Sequence, residues 1–308
     1  MLKELTLFGE IDKVQIAINR IQEFEPTEGY YLAFSGGKDS QTVYHLCKEA
    51  GVKFDAHYNL TTVDPPELVR FIQRNYREVI IEKPTKTMWQ LILERQMPPT
   101  RLVRYCCEVL KEGGGEGRFV ITGVRWAESI NRKNTRGIVE VLNGRKDKKV
   151  LLNNDNDEAR RMLETCIKKG KRVLNPIVDW TDEDVWQYLK TPRIRKKRNG
   201  KLKYSAIKYC RLYDEGFHRL GCIGCPMARR SGRLKEFARW PKYYDAYMRA
   251  FDRMVKANIE RKGNDALIWK SAQDVMNWWI YEMPKQNPDQ LFLFENEPLD
   301  NSCQRKIS

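Results

Sequence analysis

The stretch YYLAFSGGKDSQTVYHL, residues 30 to 46, limits the fold more than any other part of the chain. A short apolar run enters a turn with two glycines, and apolar residues at helical spacing follow. A strand that passes into a helix through such a turn aims backbone N–H groups and the helix dipole at one point, which suits a phosphate. The turn reads Ser35-Gly36-Gly37-Lys38-Asp39-Ser40 and lacks the G-x-x-x-x-G-K-[ST] of a Walker A loop. A unit of this kind needs parallel neighbours, and the chain supplies them.

A helix is predicted over 11–24 (IDKVQIAINRIQEF) ahead of the strand YYLAF. After the loop come the helix SQTVYHLCKEA, the strand VKFDAHYNL, the helix PELVRFIQRNY, the strand EVIIEK, the helices TMWQLILERQ and RYCCEVLKE, and the strand RFVITGV. Strands alternating with helices predict an α/β doubly wound parallel sheet with helices on both faces. From about 133 to 173 the sequence turns charged and Asn-rich around one helix-like piece, DEARRMLETCIKKG, and predicts an insertion on the sheet's edge. VLNPIVDWTDEDVWQYL restores the periodicity, with Thr181 placed to cap a helix that has acids in its first turn. The expected organisation is one domain over 1–232 and a helical carboxy-terminal lobe over 233–308, its tail frayed from 295.

The formal charge of +15 points to polyanionic partners such as nucleic acid, or to a basic, solvated surface. No run of eighteen apolar residues occurs, and the first segment carries acids within a helical pattern, so a cytoplasmic protein without membrane association is expected. Eight cysteines in such a chain favour a metal or redox site over disulfides. Cys47 and Cys166 sit in helical patterns and read as packing residues. RYCCEVLK contributes Cys106 and Cys107, and LGCIGCPM contributes Cys222 and Cys225. A Cys-x-x-Cys turn aims two thiolates at one metal, and Gly221, Gly224 and Pro226 favour that turn. Adjacent cysteines fit a single zinc poorly but suit a cubane, where each sulfur binds a different iron. Zinc on the same thiolates and a redox-active Cys222/Cys225 dithiol remain open, with Cys210 as a nearby thiol that is either reactive or packed.

The loop resembles the PP-loop of ATP pyrophosphatases, signature S-G-G-x-D-S. The pairing of CC with a distant CxxC resembles the 4Fe-4S pattern of the phosphoadenosine phosphosulfate (sulfonucleotide) reductase family and its PP-loop relatives. TGVRWAES, with Arg125, Glu128 and Ser129, NPIVDWTDEDVW and LYDEGFHRLGCIGCP extend the resemblance over residues 28 to 230. It implies an adenine-nucleotide alpha-hydrolase-like fold and a 4Fe-4S cluster on Cys106, Cys107, Cys222 and Cys225. It also implies ATP held at Ser35, Gly36, Gly37, Lys38, Asp39 and Ser40. In that reading Gly36 and Gly37 admit the phosphates, Ser35 and Ser40 donate hydroxyls, and Asp39 orients the helix start or a Mg2+ ion. Lys38 is a flexible point charge for phosphate, and Arg125 and Arg132 are the candidates to stabilise a leaving pyrophosphate. Asp64, in NLTTVDPPE, is either a ribose or magnesium contact or a turn residue before Pro65-Pro66.

Departures from the reductases direct the functional expectation. The complete S-G-G-x-D-S fits ATP as substrate, and no carboxy-terminal E-C-G-[IL]-H segment is present. Cys303, in DNSCQRK, lacks those neighbours, although Arg305 and Lys306 would lower its pKa. The expected activity is an ATP pyrophosphatase serving sulfur transfer to nucleic acid, by DNA phosphorothioation or tRNA thiolation, with sulfur from a cysteine desulfurase. The alternatives are a sulfonucleotide reductase using thioredoxin and a non-catalytic nucleic-acid-binding regulator. PRIRKKRNGKLK carries seven Lys or Arg between 193 and 203 and reads as a track for a nucleic-acid backbone, a solvated loop or a phosphosulfate clamp. Trp240, Tyr243, Tyr244, Trp269, Trp278 and Trp279 have the helical spacing of a core, with base stacking as the other use.

Overall fold

A computed structural model describes residues 2–6, 9–143, 149–152, 170–198, 201–262 and 268–282. The chain divides into two compact units: Met1–Thr85 with Val109–Cys222, and Lys86–Glu108 with Ile223–Ser308. The division follows Cys222 and assigns residues 86–108 to the second unit, a discontinuous arrangement that a single boundary at 232 does not anticipate.

In the first unit β1 (Lys3–Thr6) and β2 (Gly9–Asp12) form an antiparallel hairpin ahead of α1 (Lys13–Glu23). Asp12 caps that helix by accepting from Val14 N at 2.9 Å. The main sheet comprises β3 (Tyr30–Ala33), β4 (Phe54–Asn59), β5 (Ile80–Glu82), β6 (Phe119–Ile121), β7 (Val139–Asn143), β8 (Lys149–Leu152) and β9 (Gly170–Leu174). Their order is β5-β4-β3-β6-β9-β7-β8. The first five of these run parallel, and β7 pairs antiparallel with both β9 and β8. Tyr30, Tyr31 and Leu32 of β3 and all of β6 are buried, as expected of parallel strands covered on both faces. α2 (Lys38–Ala50) buries Val43, Leu46 and Cys47 completely, and α3 (Pro66–Asn75) opens on a proline, which costs a first-turn residue no hydrogen bond.

The chain moves outward from β3 through β4 to β5 and returns to the other side of β3 as β6. The strand order reverses there, so the carboxyl ends of β3 and β6 border the crevice where open α/β sheets bind ligands. The expected insertion at 133–173 is an edge in part: β8 is the outermost strand. β9 begins within it at Gly170 and is a parallel strand beside β6, with Val173 packed against Tyr31 and Val120. Its polar start, Gly-Lys-Arg, hides that role in the sequence. Most of DEARRMLETCIKKG, Cys166, the tail from 295 and Cys303 lie outside the described residues.

The first unit also holds a short α6 (Ile130–Thr135) and α7 (Asp182–Lys190), which Thr181 caps as read from the sequence, with Asp184 completing a capping box. β10 (Ile194–Arg198) and β11 (Lys201–Ser205) form a separate two-stranded ribbon. In the second unit, α9 (Pro241–Lys262) packs against α4 (Met88–Arg95), α8 (Arg230–Arg239) and α10 (Ala272–Asn277); α5 (Tyr105–Leu110) spans the division. The labels α4 to α10 follow chain order. Trp279 is fully buried against Tyr247 and Phe251, and Trp240 is also buried, so these aromatics are core rather than an open stacking surface. Half-buried Trp269 and Trp278 pack on each other with centroids 4.9 Å apart. Among the described residues no helix is long and apolar enough to cross a membrane.

Candidate functional site

Beyond β3, Phe34 N donates to His57 O at 2.9 Å and holds the glycine loop against the neighbouring strand. Gly36 takes φ +70°, and a Cβ there would approach Ile72 Cδ1 to 2.6 Å, so only glycine fits both the conformation and the space. Ser40 Oγ accepts from Ser35 N at 3.2 Å, donates to Gly37 O at 3.0 Å and meets Ser35 Oγ at 3.1 Å. The two serines brace the loop on itself. Gln41 Nε2 donates to Gly36 O at 2.7 Å and fixes the turn from the helix side. α2 starts at Lys38 with Gly37 as its cap, and Gly37 has no side chain to accept from the first turn. Lys38 N instead donates to the Tyr213 hydroxyl at 2.8 Å.

The Lys38 and Arg125 side chains are both buried, Arg125 with 1% of its area exposed. Arg125 follows β6, its Nε donates to Asp39 Oδ1 at 2.7 Å, its Nη2 to Asp182 Oδ1, and its Nη1 to Trp180 O at 3.2 Å. Lys38 Nζ lies 3.0 Å from Asp182 Oδ1 and 3.3 Å from Asp39 Oδ1. Two cations thus share two carboxylates, the arrangement that makes buried charge tolerable. Burial opposes the charge on Arg125, yet Asp39 and Asp182 hold its pKa above the ordinary guanidinium value. Burial also opposes ionisation of Asp182, but hydrogen bonds from Arg125 and Lys38 outweigh it and hold this carboxyl below its ordinary value.

These groups line a cavity of about 500 Å³ together with Lys111, Arg132, His218 and Arg219. Its lining has five Lys or Arg against three Asp or Glu, a balance that favours a polyanion. Arg132 pairs with Glu128 at 2.5 Å. Burial lowers the Arg132 pKa, and nearby Arg219 and Arg136 add to that lowering against the pull of Glu128. The first turn of α2 lines the same cavity, so its N–H groups and dipole add to the positive field. The donor set fits the phosphates of a nucleotide, and the volume fits a small ligand.

The structure thus brings Ser35, Gly37, Lys38, Asp39, Ser40, Arg125 and Arg132 to one cavity, with Gly36 shaping the loop beneath it. Asp64 is placed elsewhere: buried, with Oδ2 accepting from Thr61 N at 2.6 Å, it closes the turn before Pro65 and does not line the cavity. That placement matches the turn residue rather than the ribose or magnesium contact. Sequence reasoning did not single out Asp182, Tyr213 or Gly123. A Cβ at Gly123 would come within 2.8 Å of the Asp39 carbonyl carbon, so this glycine lets the β6 loop touch the start of α2. The visible signal for Gly123 and Asp182 was their place in TGVRWAES and DWTDEDVW.

No disulfide joins the described cysteines. Cys106 is buried and Cys107 half-buried on α5, while Gly224, at φ +73°, donates its N–H to Glu236 Oε2 at 2.8 Å and turns the chain between Cys222 and Cys225. Cys222 Sγ donates to Thr61 Oγ1 at 3.4 Å. Cys222 closes the first unit; Cys106, Cys107 and Cys225 belong to the second. Four thiols are chemically suited to iron or zinc, but no three His, Cys, Asp or Glu side chains stand together as a metal site among the described residues. Cys210 is buried and burial pushes its thiol pKa up, the behaviour of a packed cysteine.

Comparison with known proteins sets this geometry in a family. An uncharacterised protein of Methanocaldococcus jannaschii is 29% identical over 230 residues, 70% of this chain and 40% of that protein. A second from the same organism is 24% identical over 226 residues, 70% of this chain and 46% of that one. An uncharacterised 37.8 kDa protein of Escherichia phage 186 is 38% identical over 95 residues, 31% of this chain and 24% of that protein. The aligned region spans less than half the length of each of these relatives. Among solved structures, phosphoadenylyl-sulfate reductase from Candida auris in its phosphate complex aligns with a TM-score of 0.39 at 14% identity, covering 71% of this chain and 96% of that one. The family model described as the phosphoadenosine phosphosulfate reductase domain matches residues 29–228, from the start of the glycine-loop strand past the CxxC turn, and the chain therefore belongs to that family.

Proposed function

We propose that this chain is an ATP pyrophosphatase that activates an acceptor on nucleic acid for sulfur transfer. The observation that carries this reading is the complete S-G-G-K-D-S loop. It opens α2 without a side-chain cap, onto a cavity of about 500 Å³ with an excess of cations. The β and γ phosphates of ATP would replace Tyr213 at Lys38 N and lie along the first turn of α2. Arg132, Arg219 and Lys111 are the cations best placed to meet charge growing on the leaving pyrophosphate. Asp39 and Asp182 hold Lys38 and Arg125 in fixed positions, so those cations need little reorganisation as the charge develops.

In the proposed reaction an acceptor oxygen, or water when no acceptor is present, bonds to the α phosphorus, and the bond from that phosphorus to pyrophosphate breaks. The outer sulfur of a persulfide on a cysteine desulfurase then displaces AMP, and a second thiol, acting as reductant, cleaves the resulting acceptor–S–S–Cys bond, which leaves the thiolated acceptor and a disulfide between the two cysteines. Mg2+ would travel with the ATP phosphates; of the residues first expected to hold it, Asp39 lines the cavity and Asp64 does not. The 4Fe-4S cluster remains part of the proposal on the donor chemistry of its four thiols, and when bound it would supply a redox or structural centre. Iron near four atoms per chain after anaerobic purification, lost in Cys222→Ser, supports it; stoichiometric zinc overturns it.

The family itself favours a second reading, reduction of phosphoadenosine phosphosulfate to sulfite with thioredoxin as reductant. One experiment separates the two. Anaerobically purified protein is given ATP or phosphoadenosine phosphosulfate, and pyrophosphate and sulfite are measured. Pyrophosphate from ATP is the expected result, and sulfite without pyrophosphate overturns it. Nucleotide binding without either product indicates a nucleic-acid-binding regulator.

A further inference from the structure

The ribbon β10–β11 stands apart from the main sheet, and its register is unusual. Lys196 pairs with Lys203 and Arg198 with Lys201, like charges directly opposite each other. Such pairs destabilise a sheet, and a two-stranded ribbon has little stability to spare. Neither strand contains an Asp or Glu. Directly opposed residues share a face, so the register places Lys196, Arg198, Lys201 and Lys203 on one face of the ribbon. The other face pairs Arg195 with Tyr204 and Lys197 with Leu202, and Tyr204 is 61% exposed.

The positive surface continues past the ribbon. Ser205, the last residue of β11, borders a cleft of about 480 Å³ that includes exposed Arg74, Arg77 and Lys208. A larger cleft of about 1000 Å³ shares Arg74 and Lys208 and adds Arg70 and Arg211. Arg70 and Arg74 stand one turn apart on α3. The clefts also contain the acids Glu67, Glu78, Asp214 and Glu215; Glu78 pairs with Lys48 at 2.6 Å, and Asp214 accepts from the Tyr209 hydroxyl at 3.1 Å. The segment leading from Lys208 ends at Tyr213, whose hydroxyl holds Lys38 N in the nucleotide loop.

We propose that the β10–β11 ribbon and the Arg70/Arg74 flank of α3 dock B-form duplex DNA, the ribbon lying in its major groove. Phosphates would relieve the like-charge pairs that the ribbon cannot relieve internally. A two-stranded ribbon fits the B-form major groove, about 12 Å wide, whereas the deep, narrow major groove of A-form RNA excludes it. A single strand would need a row of exposed stacking aromatics, and the two strands of the ribbon hold one, Tyr204. The proposal rests on the nucleic-acid acceptor proposed above and gives it a class.

The test measures binding of the full chain to a mixed-sequence DNA duplex, the matching RNA duplex and the single strand over a series of salt concentrations. The expected order places duplex DNA tightest. The variants Lys196→Gln/Lys203→Gln and Arg70→Gln/Arg74→Gln are each expected to weaken it and to reduce the slope of log K against log salt by about 1.8, two phosphate contacts at ~0.9 each. Equal affinity for RNA duplex or single strand overturns the proposal, as does an unchanged slope in the ribbon variant. Pyrophosphate release from ATP without DNA should be the same in wild type and both variants, which certifies their fold. Should a variant lose it, Arg198→Gln/Lys201→Gln takes its place. DNA binding without pyrophosphate release sinks the ATP reading and leaves the ribbon standing; release without ribbon-dependent DNA binding does the reverse.

Discussion

Asp182 lies 144 residues from Lys38 and 57 from Arg125 along the chain, yet one of its oxygens accepts from both. Because its pKa is held below the ordinary carboxylate value, its contribution to stability is fully present above about pH 4 and is lost as pH falls through the folded value. Asp182→Asn is expected to destabilise the protein at pH 7 by about 1 kcal/mol, a small figure because half of the side chain is exposed. It should also flatten the loss of stability on acidification, which denaturant titrations at about pH 7 and about pH 3, on either side of the ordinary carboxyl value of about 4, would measure. Gly123→Ala acts by contact instead. Its Cβ would press on the Asp39 backbone, with an expected cost of about 1–3 kcal/mol and weaker ATP binding by calorimetric titration. The loop residues were legible because strand, glycines and helix are contiguous. Asp182 and Tyr213 were not, because only the folded chain brings an acid and a phenol from distant segments to the start of α2.

Among the elements, β9 shows how a strand can hide. Gly170, Lys171 and Arg172 give it a polar opening, and only Val173 and Leu174 carry the burial that fixes it beside β6. Asn175, just beyond it, has 1% of its area exposed and donates to Gly137 O and to Glu140 Oε1, each at 2.8 Å, while its Oδ1 accepts from Thr122. That one amide ties the ends of β9, β6 and β7. Asn175→Ala would strip a donor from fully buried Glu140, with an expected loss of about 2–3 kcal/mol read as a lowered Tm. β3, β4 and β6 were legible as apolar runs between turns, and α7 from the Thr181 cap and the acids of its first turn. The β10–β11 ribbon was not, because basic strands without apolar alternation look like a solvated loop. The Asn199-Gly200 pair between them is nonetheless a strong hairpin signal in the sequence.

For the whole molecule, a net charge of +15 predicted a polyanion partner without locating it. The structure distributes basic residues over two surfaces of the first unit, the nucleotide cavity and the ribbon with its clefts. Four of the five parallel strands were legible; β9 was not, and neither was the discontinuous second unit, since α4 reads as one more crossover helix although it packs with α9. ATP at a hundred times its Kd is expected to stabilise the protein by about 2.7 kcal/mol by mass action. Thermal unfolding should show that gain in wild type and in Lys196→Gln/Lys203→Gln, and lose it in Gly36→Ala, whose Cβ collides with Ile72. Equal gains in all three would remove the loop as the nucleotide site.

Tyr213 has one more consequence. Its ring stands perpendicular to Trp186 with centroids 5.0 Å apart, while its hydroxyl occupies Lys38 N. An anion that claims that N–H must displace the phenol and so alter the surroundings of the indole. The emission of Trp186 should therefore shift as the loop fills and stay constant in Tyr213→Phe, giving the protein a built-in optical gauge of its own occupancy.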